Sequence, residues 1–198
     1  MIDLSRDKYI MKQTIGTLTY LFFRLSPFIL VCFFVLGSVI NYEIKGFIYL
    51  IGLVFACVVS TWLCPSPDNV NESLICKSFS INGIYDDKTP MSLVIFSYTF
   101  FYLVYPIGKY NLASYNVPTL ILFPLLILGE IAWIFTHQCF PIGSCVIAIA
   151  IGGGIGAAWS AIIDSTRLPA LQYFAVGSNR QVCSTASAQK FVCKDQPW

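Results

Sequence analysis

This chain contains few charged residues. Only 11% of its 198 residues are Asp, Glu, Lys or Arg, and one is His, whereas soluble domains carry about 25% charged residues. The net charge of +2 is too small to indicate nucleic-acid binding. No set of His, Asp, Glu or Ser converges on a catalytic pattern, and no Cys pair has CxxC spacing. We therefore expect no enzyme, no cofactor and no metal site.

The chain contains several long apolar runs. Residues 25–42, 47–64, 91–107, 118–135 and 140–163 are apolar runs of 17 to 24 residues. A hydrocarbon core of about 30 Å needs roughly 20 residues of helix. The runs lack the strict polar–apolar alternation of barrel strands. The sequence therefore predicts an all-α protein: a multi-span transmembrane helical bundle of about five spans in a lipid bilayer.

The spans divide the chain into three parts. Residues 1–14 form a polar N-terminal tail, 15–163 form the bundle with a polar loop at 65–90, and 164–198 form a polar C-terminal tail. Weak alternation over 181–194 predicts a β-hairpin. Arg24, Ser26 and Pro27 separate the apolar stretch 15–23 from the first run. This stretch is either an interfacial helix or the start of one long tilted or kinked span, and we favour the long span.

Two charged residues lie in or beside the spans. Glu130 is the only acidic residue well inside a run, with Arg24, His137 or a Tyr or Ser hydroxyl as candidate partners. Intramembrane carboxylates are costly and mark either buried pairs or ion paths. We favour a protonated or paired Glu130 that fixes helix packing over a coupling carboxylate. Arg24 is expected to extend its charge to the membrane surface.

Small residues define one face of the fifth run. Gly152, Gly156 and Ser160 recur every four residues, with Gly153 beside them. The segment lacks the Lys-Ser/Thr ending of a phosphate loop. Small residues at this spacing let helices approach closely in lipid. We therefore predict a helix-packing face, directed at another helix of the chain or at a partner.

The polar segments carry candidate modification sites. A bridge between Cys183 and Cys193 would close the predicted hairpin, since cross-strand positions meet the geometry of a disulfide. Cys64 and Cys76 are a second candidate pair, and free thiols are the alternative for both pairs. Asn71 begins an Asn-Glu-Ser triplet that fits the glycosylation pattern. Glycosylation there would place the 65–90 loop outside the cytosol.

The C-terminal tail carries a recognisable pattern. Asn179-Arg180-x-x-Cys183-Ser184 is followed by Ser187-x-Gln189-x-Phe191-x-Cys193. This stretch resembles one in small multi-span membrane proteins of giant (nucleocytoplasmic large) DNA viruses. The resemblance covers about 16 residues. It implies a component of the internal membrane of a virion, a minor capsid protein, with other membrane or capsid proteins as partners.

These observations lead to two expectations of function. The first is a non-enzymatic structural multi-pass membrane protein, a subunit of a larger membrane-associated assembly. The second is a small ion channel or transporter that uses Glu130 as an intramembrane carboxylate.

Overall fold

Five α-helices and a small hairpin make up the part of the chain that the structure describes. The computed structural model describes residues 3–42, 44–64, 89–166, 171, 182–185 and 191–194. The helices are α1 (Asp3–Ile40), α2 (Lys45–Leu63), α3 (Met91–Lys109), α4 (Val117–His137) and α5 (Ile142–Ser165), with a 3-10 turn at Ala113–Tyr115. The strands are β1 (Val182–Thr185) and β2 (Phe191–Lys194). The predicted all-α bundle is confirmed, and α2 to α5 match the predicted runs to within two residues at each end.

The helices have the length and composition of membrane spans. Helices α2, α3, α4 and α5 each have 19 to 24 residues and are apolar enough to cross a bilayer, and α1 contains a shorter apolar stretch, Leu25–Ile40. Large apolar side chains cover the outside of the bundle, among them Phe33, Ile51 and Leu125. A soluble protein would bury such surface, whereas a bilayer solvates it. The chain is therefore an integral membrane protein.

Helix α1 is longer than any predicted span. It is a single helix of 38 residues that contains Pro27, so its length is about 57 Å. The stretch 15–23 and the first apolar run therefore belong to one long helix, and a separate interfacial helix is wrong. Residues 3–14, predicted as a polar tail, are also helical. Once a helix has formed, adding a residue is inexpensive, and no proline interrupts the chain before Pro27.

Helix α1 lies antiparallel to α2. The backbone N–H of Gly46 donates to Ser38 Oγ at 3.0 Å. One turn earlier in α1 and one turn later in α2, the rings of Phe34 and Tyr49 lie 4.8 Å apart between centroids. The short connection at 41–44 permits only this arrangement of the two helices.

Helix α3 is the centre of the bundle. Of the most apolar 18 residues in each span, 61% are buried in α3, against 33% in α2 and α5 and 17% in α4. Ser97 and Thr99 of α3 donate their hydroxyl groups to the carbonyls of Leu93 and Ile95 at 2.6 and 2.7 Å. This bonding within the helix lets polar residues occupy the most buried span.

Glycine brings α5 into backbone contact with α3. A Cβ atom at Gly152 would lie 2.6 Å from the carbonyl oxygen of Val94, and one at Gly156 would overlap the carbonyl oxygen of Tyr98. Both contacts advance by four residues, so the two helices are parallel. Gly153 faces the ring of Phe101, and Ser160 is buried one turn after Gly156. The small-residue face of α5 is therefore used inside the chain.

The tail contains the predicted hairpin. Strands β1 and β2 pair antiparallel, and the register places Cys183 directly opposite Cys193. The hairpin predicted within 181–194 is confirmed. The side chains of both cysteines lie outside the described residues.

Adding one methyl group to α5 tests the α3–α5 contact. We expect Gly156→Ala to push α5 away from the Tyr98 backbone and to lower the free energy of unfolding by about 1–3 kcal/mol. Gly154→Ala is the matched control, because its Cβ would meet nothing within 4 Å. Thermal unfolding in detergent measures both. Equal stability of the two variants would contradict the contact.

Candidate functional site

The buried carboxyl of Glu130 is the centre of the candidate site. Glu130 lies two turns before the end of α4, is 5% exposed, and accepts a hydrogen bond at Oε1 from the hydroxyl of Ser92. Seven residues earlier in α4, Phe123 packs on Phe100 with ring centroids 6.2 Å apart. This antiparallel packing of α3 and α4 brings Glu130 to Ser92. Among the described side chains, a Ser hydroxyl is the candidate partner that bonds to Glu130.

The second carboxyl oxygen has a different environment. Glu130 Oε2 is buried and has no hydrogen-bond partner among the described residues. An ionised carboxylate buried without a cation costs several kcal/mol. We therefore expect Glu130 to be neutral, with its function limited to holding α4 on α3 or carrying a proton.

Other buried polar side chains lie at the same end of the bundle. Thr89 precedes α3, Ser144 and Cys145 lie in the first turn of α5, and Cys64 ends α2, all less than 9% exposed. No three His, Cys, Asp or Glu side chains of the described residues form a group that could hold a metal ion. The described side chains at this end form a buried polar cluster.

His137 and Arg24 were also candidate partners of Glu130. His137 Nδ1 lies 3.0 Å from the carbonyl oxygen of Trp133, and the two rings lie 4.0 Å apart between centroids. His137 therefore contacts the preceding turn of its own helix. Arg24 belongs to α1, and its side chain lies outside the described residues.

The structure contradicts one of the predicted disulfides. Cys64 is a free thiol, so its predicted bridge to Cys76 is wrong. Cys64 caps α2 and is only 5% exposed, which places its thiol inside the bundle rather than in the loop that follows. Cys32, Cys57 and Cys145 are also free. Cys76 and Asn71 both lie outside the described residues.

Cys139 behaves differently from these free thiols. It lies in the turn between α4 and α5 and is disulfide-bonded. Sequence spacing did not identify Cys139 as a bridged residue.

A second polar group joins the C-terminal ends of α3 and α5. The sequence analysis missed this group. Asp164 accepts from Lys109 Nζ and, at 2.5 Å, from the hydroxyl of Tyr110. Its carboxylate raises the pKa of the Tyr110 phenol above the ordinary value. Lys109 is 48% exposed, so water screens the ion pair and its stabilising effect is small. In the sequence, both charged residues lie just after the ends of apolar runs, and this position could have indicated the ion pair.

Aromatic residues fill the middle of the bundle. Tyr49 of α2 shares a 2.7 Å hydrogen bond with Thr99, and Tyr98 donates to the Tyr49 carbonyl oxygen at 3.2 Å. Trp159 of α5 donates to the carbonyl oxygen of Ile48 at 3.1 Å. These bonds join α2 to α3 and α5, and spacing alone did not predict them.

Comparison with known proteins adds no family. No family model, no curated protein and no solved structure matches this chain.

Substitutions of Glu130 test whether its carboxyl group is neutral or ionised. We expect Glu130→Gln to retain the hydrogen bond to Ser92 and to leave stability near that of the native chain. Glu130→Ala should lower the free energy of unfolding by about 1–3 kcal/mol, because Ser92 loses its buried partner. Thermal unfolding in detergent at pH 7 compares the variants, with Thr136→Ala on the exposed part of α4 as the control. A loss as large for Gln as for Ala would show that the charge is required.

Thiol counting tests the disulfides. We expect four cysteines (Cys32, Cys57, Cys64 and Cys145) to alkylate in denaturant without reductant, and all eight after reduction. If Cys183 and Cys193 are bridged, as their register suggests, Cys76 remains for Cys139. Intact mass gives the count, and peptide mapping gives the pairs. Alkylation of Cys183 and Cys193 before reduction would contradict the tail bridge.

Proposed function

We propose that this chain is a non-enzymatic structural multi-pass membrane protein and a subunit of a larger membrane-associated assembly. The observation that carries the proposal is the use of the bundle's interior polar groups for joining helices. Ser92 is bonded to Glu130 and Thr99 to Tyr49, and all four residues are buried. Buried polar groups bonded across helices favour one packing arrangement over others in lipid.

The two ends of the chain support a role in assembly. Helix α1 is about 57 Å long, and a bilayer core of about 30 Å accommodates only half of that length. The hairpin has two strands of four residues each, and such a hairpin is marginal when isolated in water. We propose that partner proteins bind both elements.

The resemblance of residues 179–194 favours one kind of assembly. It suggests that the chain lies in the internal membrane of a virion and that membrane or capsid proteins of the particle are its partners. Host-derived and viral membranes are both compatible with the apolar surface of the helices. The partners therefore have to be identified directly.

Isolation of the assembly tests the proposal. The chain is extracted in mild detergent after cross-linking in its native membrane, and its cross-linked peptides are identified by mass spectrometry. We expect other proteins in fixed proportion to the chain, linked through α1 or the hairpin. A matched sample that lacks residues 181–198 should lose the hairpin links and keep the rest. Recovery without any second protein species would contradict the proposal.

A small channel or transporter is the second candidate. The observation that favours it is the buried Oε2 of Glu130, which lacks a hydrogen-bond partner among the described residues. Intramembrane carboxylates in such positions carry protons or bind ions in transport proteins. The candidate site is then the polar cluster around Glu130 and Ser92.

Liposome reconstitution distinguishes the two candidates. A pH-dependent flux that Glu130→Gln abolishes, and that Arg24→Gln and Asp164→Asn leave unchanged, would support transport. Absence of flux for protons, Na⁺, K⁺ and Cl⁻ would remove this candidate. Because Glu130→Gln is expected to fold, a lost flux could not be attributed to unfolding.

A further inference from the structure

Helix α4 is the least buried of the spans α2 to α5. Its buried residues are Phe123, Glu130 and Ile134. At about 100° per residue these three lie within about 40° of one another around the helix axis. They form one narrow line along the helix, which we define as the α4 seam. The other side chains of α4 are exposed or half-buried, and Leu125 and Leu128 are each 61% exposed.

Two residues of the α4 seam contact α3. In the first half of α4, Phe123 packs on Phe100. Two turns before its end, Glu130 accepts a hydrogen bond from the hydroxyl of Ser92 in the first turn of α3. Lipid tails can replace an apolar contact between helices at little cost, because a bilayer provides no hydrophobic driving force. The bond between Ser92 and Glu130 is therefore the contact that fixes the end of α4 on α3.

This contact suits the protonated form of Glu130. Its Oε2 atom is buried and has no hydrogen-bond partner among the described residues. Without its proton, the carboxylate would be buried with Ser92 as its one described donor, which costs more free energy than a hydrogen bond between spans contributes. The end of α4 is only seven residues away, about 10 Å along the helix. An ionised Glu130 is therefore more stable when α4 leaves α3 and the carboxylate reaches water.

Pro124 provides a point at which α4 can bend. It lies inside the helix, six residues before Glu130. Because proline has no N–H group, the carbonyl of Leu120 lacks its usual helical donor, and helices bend at such positions. Residues 125–137 can thus move while the contact between Phe123 and Phe100 holds the first half of α4 on α3.

We propose that Glu130 is a proton-controlled latch between α4 and α3. The neutral carboxyl group holds residues 125–137 on α3, and loss of its proton between about pH 5 and pH 9 releases them. The latch is closed at low pH and opens as the pH rises, because the contact accepts only the neutral form. The proposal goes beyond the proposed function, since this movement requires neither a partner protein nor a transported ion.

The other described titratable groups are paired elsewhere, distant or shared by a control variant. On α4 itself, His137 contacts the carbonyl oxygen of Trp133 in the preceding turn. Asp164 of α5 bonds to Lys109 and Tyr110 at the opposite end of the bundle. The free thiols at the same end as Glu130 are Cys64 of α2 and Cys145 of α5. The remaining groups of α3 and of the 3-10 turn lie in the middle of the bundle or toward the opposite end: Tyr98, Tyr102, Tyr105 and Tyr115.

A distance measurement between α4 and α2 tests the latch. Azide-bearing residues are introduced into the full chain at Trp62 and Ala132, both exposed, and are coupled to spin labels, so that every cysteine stays native. Double electron–electron resonance in lipid nanodiscs should show that this distance increases by about 5 Å, one helical turn, from pH 5 to pH 9. Labels at Ile51 and Leu122 form the matched control pair, because position 122 precedes Pro124 and both sites are exposed. Their distance should not change.

The variant Glu130→Gln separates the latch from other effects of pH. It keeps a hydrogen-bond acceptor for Ser92, cannot ionise and retains both thiols, so it should show the pH 5 distance at both pH values. The latch would be overturned by an unchanged distance in the native chain, by the same increase in Glu130→Gln, or by an equal increase in both label pairs. Loss of helix content at pH 9, measured by circular dichroism, would also overturn it.

The latch and the proposed function can fail separately. Movement of α4 in a chain that conducts no ion leaves the latch standing and removes only the transport candidate. Partner proteins recovered in fixed proportion from a chain whose α4 does not move support the proposed function and remove the latch.

Discussion

The backbone contact between α3 and α5 is the constraint on which the rest of the bundle depends. Without a side chain at Gly152 or Gly156, α5 reaches the carbonyl oxygens of Val94 and Tyr98, and van der Waals packing replaces the hydrophobic driving force that is absent between helices in lipid. The parallel contact places Asp164 beside Lys109 at one end. At the other end, the short turn before α5 positions α4, so that Glu130 reaches Ser92.

Polar side chains then determine which helices meet and at what height. A hydrogen bond between spans contributes modestly in lipid, because alternative partners exist in the unfolded state. Its effect on register is larger, since a buried oxygen that loses its partner costs about 1–3 kcal/mol. Glu130 with Ser92 and Tyr49 with Thr99 fix α4 and α2 relative to α3, and Trp159 with Ile48 fixes α5 relative to α2. Stability comes from packing, and uniqueness of the packing comes from these bonds.

Helix α1 contacts α2 through Ser38, whose hydroxyl accepts from the backbone N–H of Gly46, and through Phe34, whose ring packs on Tyr49. The hairpin of the tail has only two strands of four residues each, and a two-stranded hairpin of this size is marginal on its own in water.

The sequence by itself determined the class of the protein, the bounds of α2 to α5 and the tail hairpin, because run length and alternation are local properties of the chain. Only the tertiary structure decided which residues meet. Glu130 bonds to Ser92, which was one of several candidate partners. Cys64 is a free thiol, and the sequence did not predict that Asp164 accepts from Lys109. Helices that are apolar on all sides carry no periodic signal for the direction in which each face points. Their rotations are fixed by contacts between residues as far apart in sequence as Ile48 and Trp159.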